Sequence, residues 1–494
     1  MTKVKNKSNQ YGKTSLVVGN FDVLHPGHIR LLSFAKEVSG YLIVAVNSDL
    51  LLAGTNRVNQ ASRLEMVASL ECVDESIITN ESVAELVTRI RPDYIVKGKE
   101  FESQHNPEQA IIEAWGGRLI FGSGEFELSS ERLKRADKEG EWDFHCTDLA
   151  LYAQRHHIEL EPLLRHLEKI KTLKVGVIGE VIVDEYVHGA AVGLSQEDPT
   201  IVMTPSKTER FLGGAAITAG HIRALGAEQV HFVSVLGEDQ GRHFAEQTIQ
   251  DYQLKPSLLI DESRPTNLKT RYRADKKTLL RVNQVRQHKI DVKIQQQIIK
   301  HLHTIVPQID LLVFSDFNYG VLPQALVKKI VSLCEKQGVA MVADSQTSSQ
   351  VGDISRYHNM QLITPTEKEV RVALNNPDDG LVILADKLCK KASPKYLAIT
   401  LGSEGIFIHI PDGKGGWEND LLPALNNNAA DPAGAGDCFL ASSSLMLAVG
   451  ASCWEAFYVG SLASALQVSV VGNRPLAHKK LEQALVNSFR KHAD

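Results

Sequence analysis

The sequence predicts two α/β domains in tandem, each a parallel sheet layered between helices, the second carrying a small β lid. Three observations predict this. The chain has 494 residues, too many for one ordinary hydrophobic core. From Thr14 to about Phe121, short β-rich runs alternate with helical runs, the spacing of a parallel sheet with crossover helices. A second pattern of the same kind begins at KVGVIG (174–179) and runs toward the C-terminus.

In the first pattern the expected strands are 15–19, 41–46, 75–78, 93–96 and 118–121. Helices are expected at 28–38, 62–70, 81–90 and 107–114. Residues 1–136 thus form one domain. Around 136–142 the composition turns charged and glycine-containing, and Leu149, Leu151, Leu160, Leu163, Leu164 and Leu167 follow among His, Arg and Glu. Residues 137–172 read as a linker and bridging helix, and 173–494 as the second domain. Its strands are expected at 174–179, 231–236, 310–314, 339–343, 361–364, 396–400 and 405–410, with closing helices at 435–449 and 454–470. The stretches 183–202 and 268–282 mix polar and apolar residues and read as extra β segments forming the lid.

Composition narrows the function classes. Hydrophobic residues make up 43% and charged residues 23%, a globular balance. A net charge of −5 leaves no bulk basic field, so nucleic acid is not an expected partner. No apolar run approaches the roughly 20 residues of a membrane helix, so no membrane partner is expected either. Met1 to Gln10 is polar and basic without an apolar stretch behind it and reads as a frayed tail. The six cysteines form no Cys-x-x-Cys pair, which argues against a zinc site or disulfide framework and for a reducing cytoplasm.

GNFDVLHPGH (19–28) directly follows the first strand. His25 and His28 therefore fall at a strand-to-helix junction, where backbone N–H groups and the helix dipole favour phosphate. Gly27 lets phosphate approach the backbone. Nucleotidyl transfer needs such a place: a phosphate acceptor attacks the α-phosphorus of an NTP, and positioning and electrostatics carry the rate. A divalent metal, Mg²⁺, would screen the triphosphate. Alone, the motif also reads as a turn with two exposed histidines; its place after the first strand favours the phosphate reading.

This segment resembles the cytidylyltransferase-like nucleotidyltransferase superfamily, whose signature is His-x-Gly-His. Residues 19–135 resemble, more closely, the adenylyltransferase domain of the bifunctional heptose-phosphate kinase/adenylyltransferases. The matching stretches are GNFDVLHPGH, LIVAVNSD (42–49), RLEMVASLECVD (63–74), DYIVKG (93–98) and LSSERL (128–133). The resemblance implies a Rossmann-like domain that takes ATP or CTP. It implies Asp49, Arg63 and Lys97 at nucleotide or substrate, and Ser129 and Ser130 capping a helix at the NTP phosphates. By themselves, Lys97 and Arg63 read equally as solvated charges, Asp49 as a turn residue, and the two serines as a plain N-cap. The superfamily's arginine ahead of the last motif is missing, since GEFE (124–127) precedes Ser129.

DPAGAGD (431–437) is the strongest signal in the chain, and a helix-forming run begins directly after it. Gly434, Ala435 and Gly436 offer close-packed backbone N–H groups at a helix start, a cradle for a γ-phosphate and its developing charge. Asp437 would take the proton of the acceptor hydroxyl. The motif resembles the ribokinase/PfkB carbohydrate kinases, and the resemblance spans 174–482. It implies a ribokinase-like fold, ATP with Mg²⁺ and a monovalent cation as cofactors, and a homodimer paired through the lid. It also implies Asp184 in GEVIVDEY, Gly213 and Gly214 in GGAA, and Asp316 in SDFNYG at the sugar. Glu369 in TPTEKE would order Mg²⁺ through water, and Thr400 and Gly402 would line the nucleotide site. Singly, each of these also reads as a turn, a surface acid or a strand exit. Against the family pattern, this chain has Ile217 for Asn, Tyr319 for Lys, Gln346 for Lys, Thr366 for Asn and Ala433 for Thr.

The order here is nucleotidyltransferase first and kinase second, the reverse of the heptose enzymes. The expected function is a pathway pair in nucleotide-sugar synthesis. A kinase phosphorylates a sugar or sugar phosphate, and a transferase couples a sugar phosphate to a nucleotidyl group and releases pyrophosphate. The partners are then small-molecule sugar phosphates and nucleotides. The alternative is an active transferase, on a sugar or polyol phosphate, beside a degenerate kinase domain that senses a sugar or nucleotide.

Overall fold

The structure is a computed structural model. It describes residues 13–21, 24, 26–51, 58–98, 106–122 and 146–490, apart from 196, 199, 275–276, 348–351, 412–415 and 427–428. The chain divides into two compact units, Met1–Glu141 with Asp378–Leu384, and Trp142–Pro377 with Ala385–Asp494.

The first unit holds five parallel strands: Thr14–Gly19 (β1), Tyr41–Asn47 (β2), Glu75–Thr79 (β3), Tyr94–Gly98 (β4) and Arg118–Gly122 (β5). All five lie within a residue or two of the expected runs. The strands read as near-continuous apolar runs because both faces are covered. Leu42, Val44 and Val46 join Val17 on one face, beneath Leu31, Leu32 and Val67 of helices Pro26–Ser39 and Gln60–Ala68. Tyr41, Ile43 and Ala45 join Leu16 on the other, against Leu86, Val87, Ile90 and Ile112 of helices Val83–Ile90 and Glu108–Glu113. The order β3-β2-β1-β4-β5 reverses direction between β1 and β4. That reversal opens a crevice at the carboxyl ends of these two strands, where such sheets take ligands.

Among the described residues the second unit has thirteen strands. They are Lys174–Gly179 (β6), Val181–Leu194 (β7), Ile201–Gly214 (β8), Gln229–Leu236 (β9), Lys255–Ile260 (β10), Asn267–Ala274 (β11) and Lys277–Gln284 (β12). Leu311–Asp316 (β13), Ala340–Ser345 (β14), Leu362–Ile363 (β15), Tyr396–Thr400 (β16), Ile406–Pro411 (β17) and Trp417–Leu422 (β18) follow. Nine of them form one sheet, β10-β9-β6-β13-β14-β15-β16-β17-β18. It is parallel from β10 to β16 and antiparallel at the β16-β17-β18 end.

The remaining four make a separate sheet, β12-β11-β7-β8. This is the expected lid, with two differences. The expected 183–202 segment turns over at 195–200, so β7 pairs with β8 as a long antiparallel hairpin. The second is that β8 runs on to Gly213 and Gly214, beyond the expected segment. The outer half of the hairpin is exposed, which explains why polar residues such as MTPSKTER (203–210) hid a strand.

Helix Ala435–Ala448 is buried from Asp437 to Leu447, and Cys453–Val468 packs beside it with Phe439 and Phe457 stacked at 5.9 Å. A helix apolar all round belongs in the core, so its N-terminus is held rigidly. Helices Cys146–Arg155 and Leu160–Lys169 add Leu149, Tyr152, Leu163 and Leu167 to that same core. No described helix is long and apolar enough to cross a membrane.

Candidate active sites

In the first unit, β1 ends at Gly19 and the chain turns through Phe21, whose φ of 52° is unusual for a residue with a Cβ. The buried Phe21 ring sits 5.1 Å from the His28 ring, which places His28 in the first turn of helix Pro26–Ser39. Pro26 opens that helix, where its fixed φ and missing N–H cost nothing, and Gly27 is the second helical residue. His25, Ser129 and Ser130 lie outside the described residues.

Arg63 is fully buried. Its guanidinium donates to the carbonyls of Asn20 (2.5 Å), Asn47 (2.9 Å) and Val58 (3.1 Å) and to Asp49 Oδ1 (2.6 Å). It thus pins the segments that leave β1 and β2 to each other. Asp49 also accepts the backbone N–H of Gln60 at 3.1 Å, at the start of Arg63's own helix. Lys97, on β4, donates to Asn106 Oδ1 at 2.8 Å and pairs with buried Glu108. Arg63, Asp49 and the Asn20 backbone thus meet at the carboxyl ends of β1 and β2, with Lys97 on β4 at the other side of β1.

In the second unit a cleft of about 1010 Å³ gathers residues far apart in sequence. Asp184, Gly214, Glu369, Thr400, Gly402, Gly434, Ala435, Gly436 and Asp437 all line it. Gly434 has φ 77°, the left-handed region that favours glycine, and N-caps helix Ala435–Ala448 without a side-chain cap. The Ala435 N–H reaches the Pro432 carbonyl at 3.5 Å, and helical geometry leaves the N–H groups of Gly436 and Asp437 without an intrahelical acceptor. A Cβ built on Gly436 would meet nothing within 4 Å, so that face of the turn is open.

Asp437 is 5% exposed. Burial pushes its carboxyl up to about 7; the Thr218 hydroxyl, donating to Oδ1 at 3.1 Å, and the charge of Lys269 oppose the rise, while Asp184 adds to it. A base poised near neutrality suits proton abstraction from an alcohol. Asp184 accepts from Arg271 Nη1 at 2.5 Å and from Asn473 Nδ2 at 3.0 Å. Gly213 lies against it, where any side chain would collide with the carboxylate.

Asp344 and Glu369 also line the cleft. Burial raises the Asp344 carboxyl well above its ordinary value, and Glu369 and Asp437 raise it further. Burial also raises Glu369, against the backbone N–H groups of Thr366 and Thr347 that donate to it at 2.7 Å. A hydrated Mg²⁺ fits such a pair, because it keeps several waters and would neutralise these acids through them. Among the described residues no three His, Cys, Asp or Glu side chains are arranged to ligate a metal directly.

Asp316 does not line the cleft. It is buried behind it, accepting from Ser345 Oγ (3.0 Å), Tyr357 Oη (2.9 Å) and the Asn318 N–H (3.0 Å), and paired with Arg356. Nearby, Glu180 accepts the N–H groups of Phe317, Tyr319 and Val321. These acids shape the SDFNYG loop from beneath. Ile217 and Tyr319 are fully buried and do not line the cleft, whereas Gln346 and Thr366 do.

Sequence reasoning passed over Thr218, Tyr186, Lys269, Arg271 and Asn473. Tyr186 donates to Asp431 Oδ2 at 2.6 Å, and Asp431 also accepts the N–H groups of Ala433 and Gly472, both at 3.1 Å. A lid strand is thereby tied to the turn that opens helix Ala435–Ala448. The order of the chain held no signal for these contacts, which span up to 289 positions.

Comparison with known proteins agrees with this geometry. Residues 16–123 match the cytidylyltransferase-like family model. Two curated relatives are both bifunctional proteins HldE. That of Paramagnetospirillum magneticum is 27% identical over 318 residues, covering 64% of this chain and 63% of the relative. That of Helicobacter pylori is 31% identical over 306 residues, covering 61% and 64%. The chain thus spans under two thirds of the length of these curated relatives. Among solved structures, phosphofructokinase-2 from Escherichia coli in complex with potassium superposes with a TM-score of 0.53 at 16% identity, over 65% of this chain and 100% of the other. The same enzyme in complex with fructose-6-phosphate gives 0.52 at 17%, with the same coverage. These two likenesses establish the fold of the second unit. Residues 173–480 match the model of the pfkB family of carbohydrate kinases, and the chain belongs to that family.

Proposed function

We propose that the chain is a bifunctional enzyme of nucleotide-sugar synthesis, with a transferase domain at 1–136, a kinase domain at 173–494 and the joining segment 137–172 between them. The single observation that carries the kinase half is Asp437, a buried carboxyl raised to about 7 beside an open turn of main-chain amides. Asp437 accepts the proton of a sugar hydroxyl as its oxygen attacks the γ-phosphorus of ATP. The new O–P bond forms, the bond to the β-phosphate oxygen breaks, and ADP leaves. The N–H groups at Gly434–Gly436 receive the charge that builds on the phosphoryl oxygens. Mg²⁺ supplies charge neutralisation when bound, held through water by Glu369 and Asp344. Asp184 and Gly214 face the sugar, and Thr400 and Gly402 face the nucleotide.

At the other site, His25, Gly27 and His28 receive the NTP phosphates, with Lys97, Ser129 and Ser130 as further contacts. Arg63 holds the crevice in shape through Asp49 and the strand ends. The relatives named HldE, described as bifunctional, support pairing the two activities. The enzyme works in the cytoplasm on small-molecule sugar phosphates and ATP or CTP. It pairs as a homodimer through the lid, whose outer half exposes Val192 and the paired Leu194 and Ile201, apolar surface of the kind that marks an interface.

The test supplies purified protein with Mg²⁺, potassium and ATP, and measures ADP against a panel of sugars and sugar phosphates. A second assay measures pyrophosphate from ATP or CTP with sugar 1-phosphates and polyol phosphates. ADP and pyrophosphate release support the reading. Pyrophosphate without ADP favours the sensor alternative, which the burial of Ile217 and Tyr319 away from the cleft weakens. Neither product rejects both.

A further inference from the structure

The family's lysine near Asp316 is replaced by Tyr319, whose ring is fully buried and lies outside the cleft. A different cation stands over the replacement. Lys269, on lid strand β11, lines the cleft with its ammonium 5.4 Å from the Tyr319 ring centroid and 5.4 Å from that of Phe317. Two aromatic faces fix the position of a charge that a flexible side chain would otherwise leave to wander. Phe317, Tyr319 and Ile182 form one small apolar cluster, so the platform beneath the ammonium is itself packed. Lys269 pairs in register with Asp184, which faces the same cleft.

We propose that Lys269 is a catalytic residue of the phosphoryl transfer, supplying from the lid the cation that stabilises the charge on the migrating phosphoryl group. The proposal rests on the kinase reading above. An ammonium lining the cleft favours a transition state whose equatorial oxygens carry spread negative charge more than it favours bound ATP. It also favours the ionised form of Asp437, whose other charged neighbours are Asp184 and Asp344. Tyrosine at 319 is then the platform that holds the replacement charge, and not simply the loss of a charge.

The test uses the full chain and the substitutions Lys269→Met and Lys269→Arg. Calorimetry first measures ADP with Mg²⁺, then ADP with Mg²⁺ and aluminium fluoride, which mimics the migrating phosphoryl group. The expected result is that Lys269→Met binds ADP like the parent but loses most of the extra affinity that aluminium fluoride confers, while Lys269→Arg keeps much of it. In turnover, Lys269→Met should lower kcat roughly 100-fold with KM for ATP little changed, and the acidic limb of its pH profile should move upward. Equal gains from aluminium fluoride in parent and Lys269→Met would overturn the role of Lys269 alone. So would an unchanged kcat with only a raised acceptor KM, which would make Lys269 a binding residue. If the parent binds no ADP and releases none from ATP, the kinase reading itself fails and the proposal falls with it.

Discussion

Two buried charges, one in each unit, have opposite fates. Asp437 has one side-chain hydrogen bond, from Thr218, and burial pushes it up to about 7. Arg63 is as deeply buried, but its guanidinium is distributed over three backbone carbonyls and Asp49. The comparison teaches that burial alone does not make a charged group reactive. A buried charge with few partners stays chemically available, whereas one whose donors are all occupied becomes part of the frame.

The sharpest way to break that comparison is Asp437→Asn. The amide keeps the shape and can still accept from Thr218, but it cannot take a proton. Turnover in the kinase assay should fall by about 10²–10⁴-fold, with the unfolding midpoint close to that of the parent. A large stability loss instead would recast Asp437 as structural.

Arg63→Met probes the other side. It leaves the carbonyls of Asn20 and Asn47 without their donor, and should cost the first unit on the order of 3 kcal/mol, since hydrogen bonds to charged groups are each worth about 1.5–3 kcal/mol. Denaturant unfolding of the full chain should show an earlier transition for that unit, while ADP production is maintained. Lost pyrophosphate release with unchanged stability would instead place Arg63 on the substrate.

The smallest effect concerns pH. The ionised form of Asp437 is the active one, so the parent's kinase rate should fall as pH drops below about 7. Thr218→Val removes the hydrogen bond that favours ionisation, and the acidic limb should move up by up to about one pH unit. A limb that stays put would show that Thr218 does not tune the base.

How much of this was legible in the sequence follows from which contacts are local. Every strand of the first unit could be read because apolar residues fill both sheet faces in short runs. DPAGAGD could be read because a turn and the helix after it are contiguous, so one heptad carries the whole amide cradle. Strands β10 and β18 were passed over: KPSLLI carries a proline at its second position, and WENDLL alternates poorly. The long reach of β8 was masked by its exposure. Asn473 and Lys269 line the cleft from a remote loop and strand, Thr218 and Tyr186 reach Asp437 and Asp431 from a remote helix and strand, and only the fold brings them there. The resemblance of SDFNYG to the family motif put Asp316 at the sugar. Its position behind the cleft depends on Arg356 and Tyr357, which lie 40 and 41 residues further along the chain.

Helices Cys146–Arg155 and Leu160–Lys169 carry a practical consequence for anyone wishing to separate the two activities. The family match begins at residue 173, which invites scissors there. A cut at that point would strip Leu149, Tyr152, Leu163 and Leu167 from the larger unit and leave an oily trench prone to clumping. Severing the polypeptide upstream of Cys146 keeps the trench filled, and the freed half should then stay in solution.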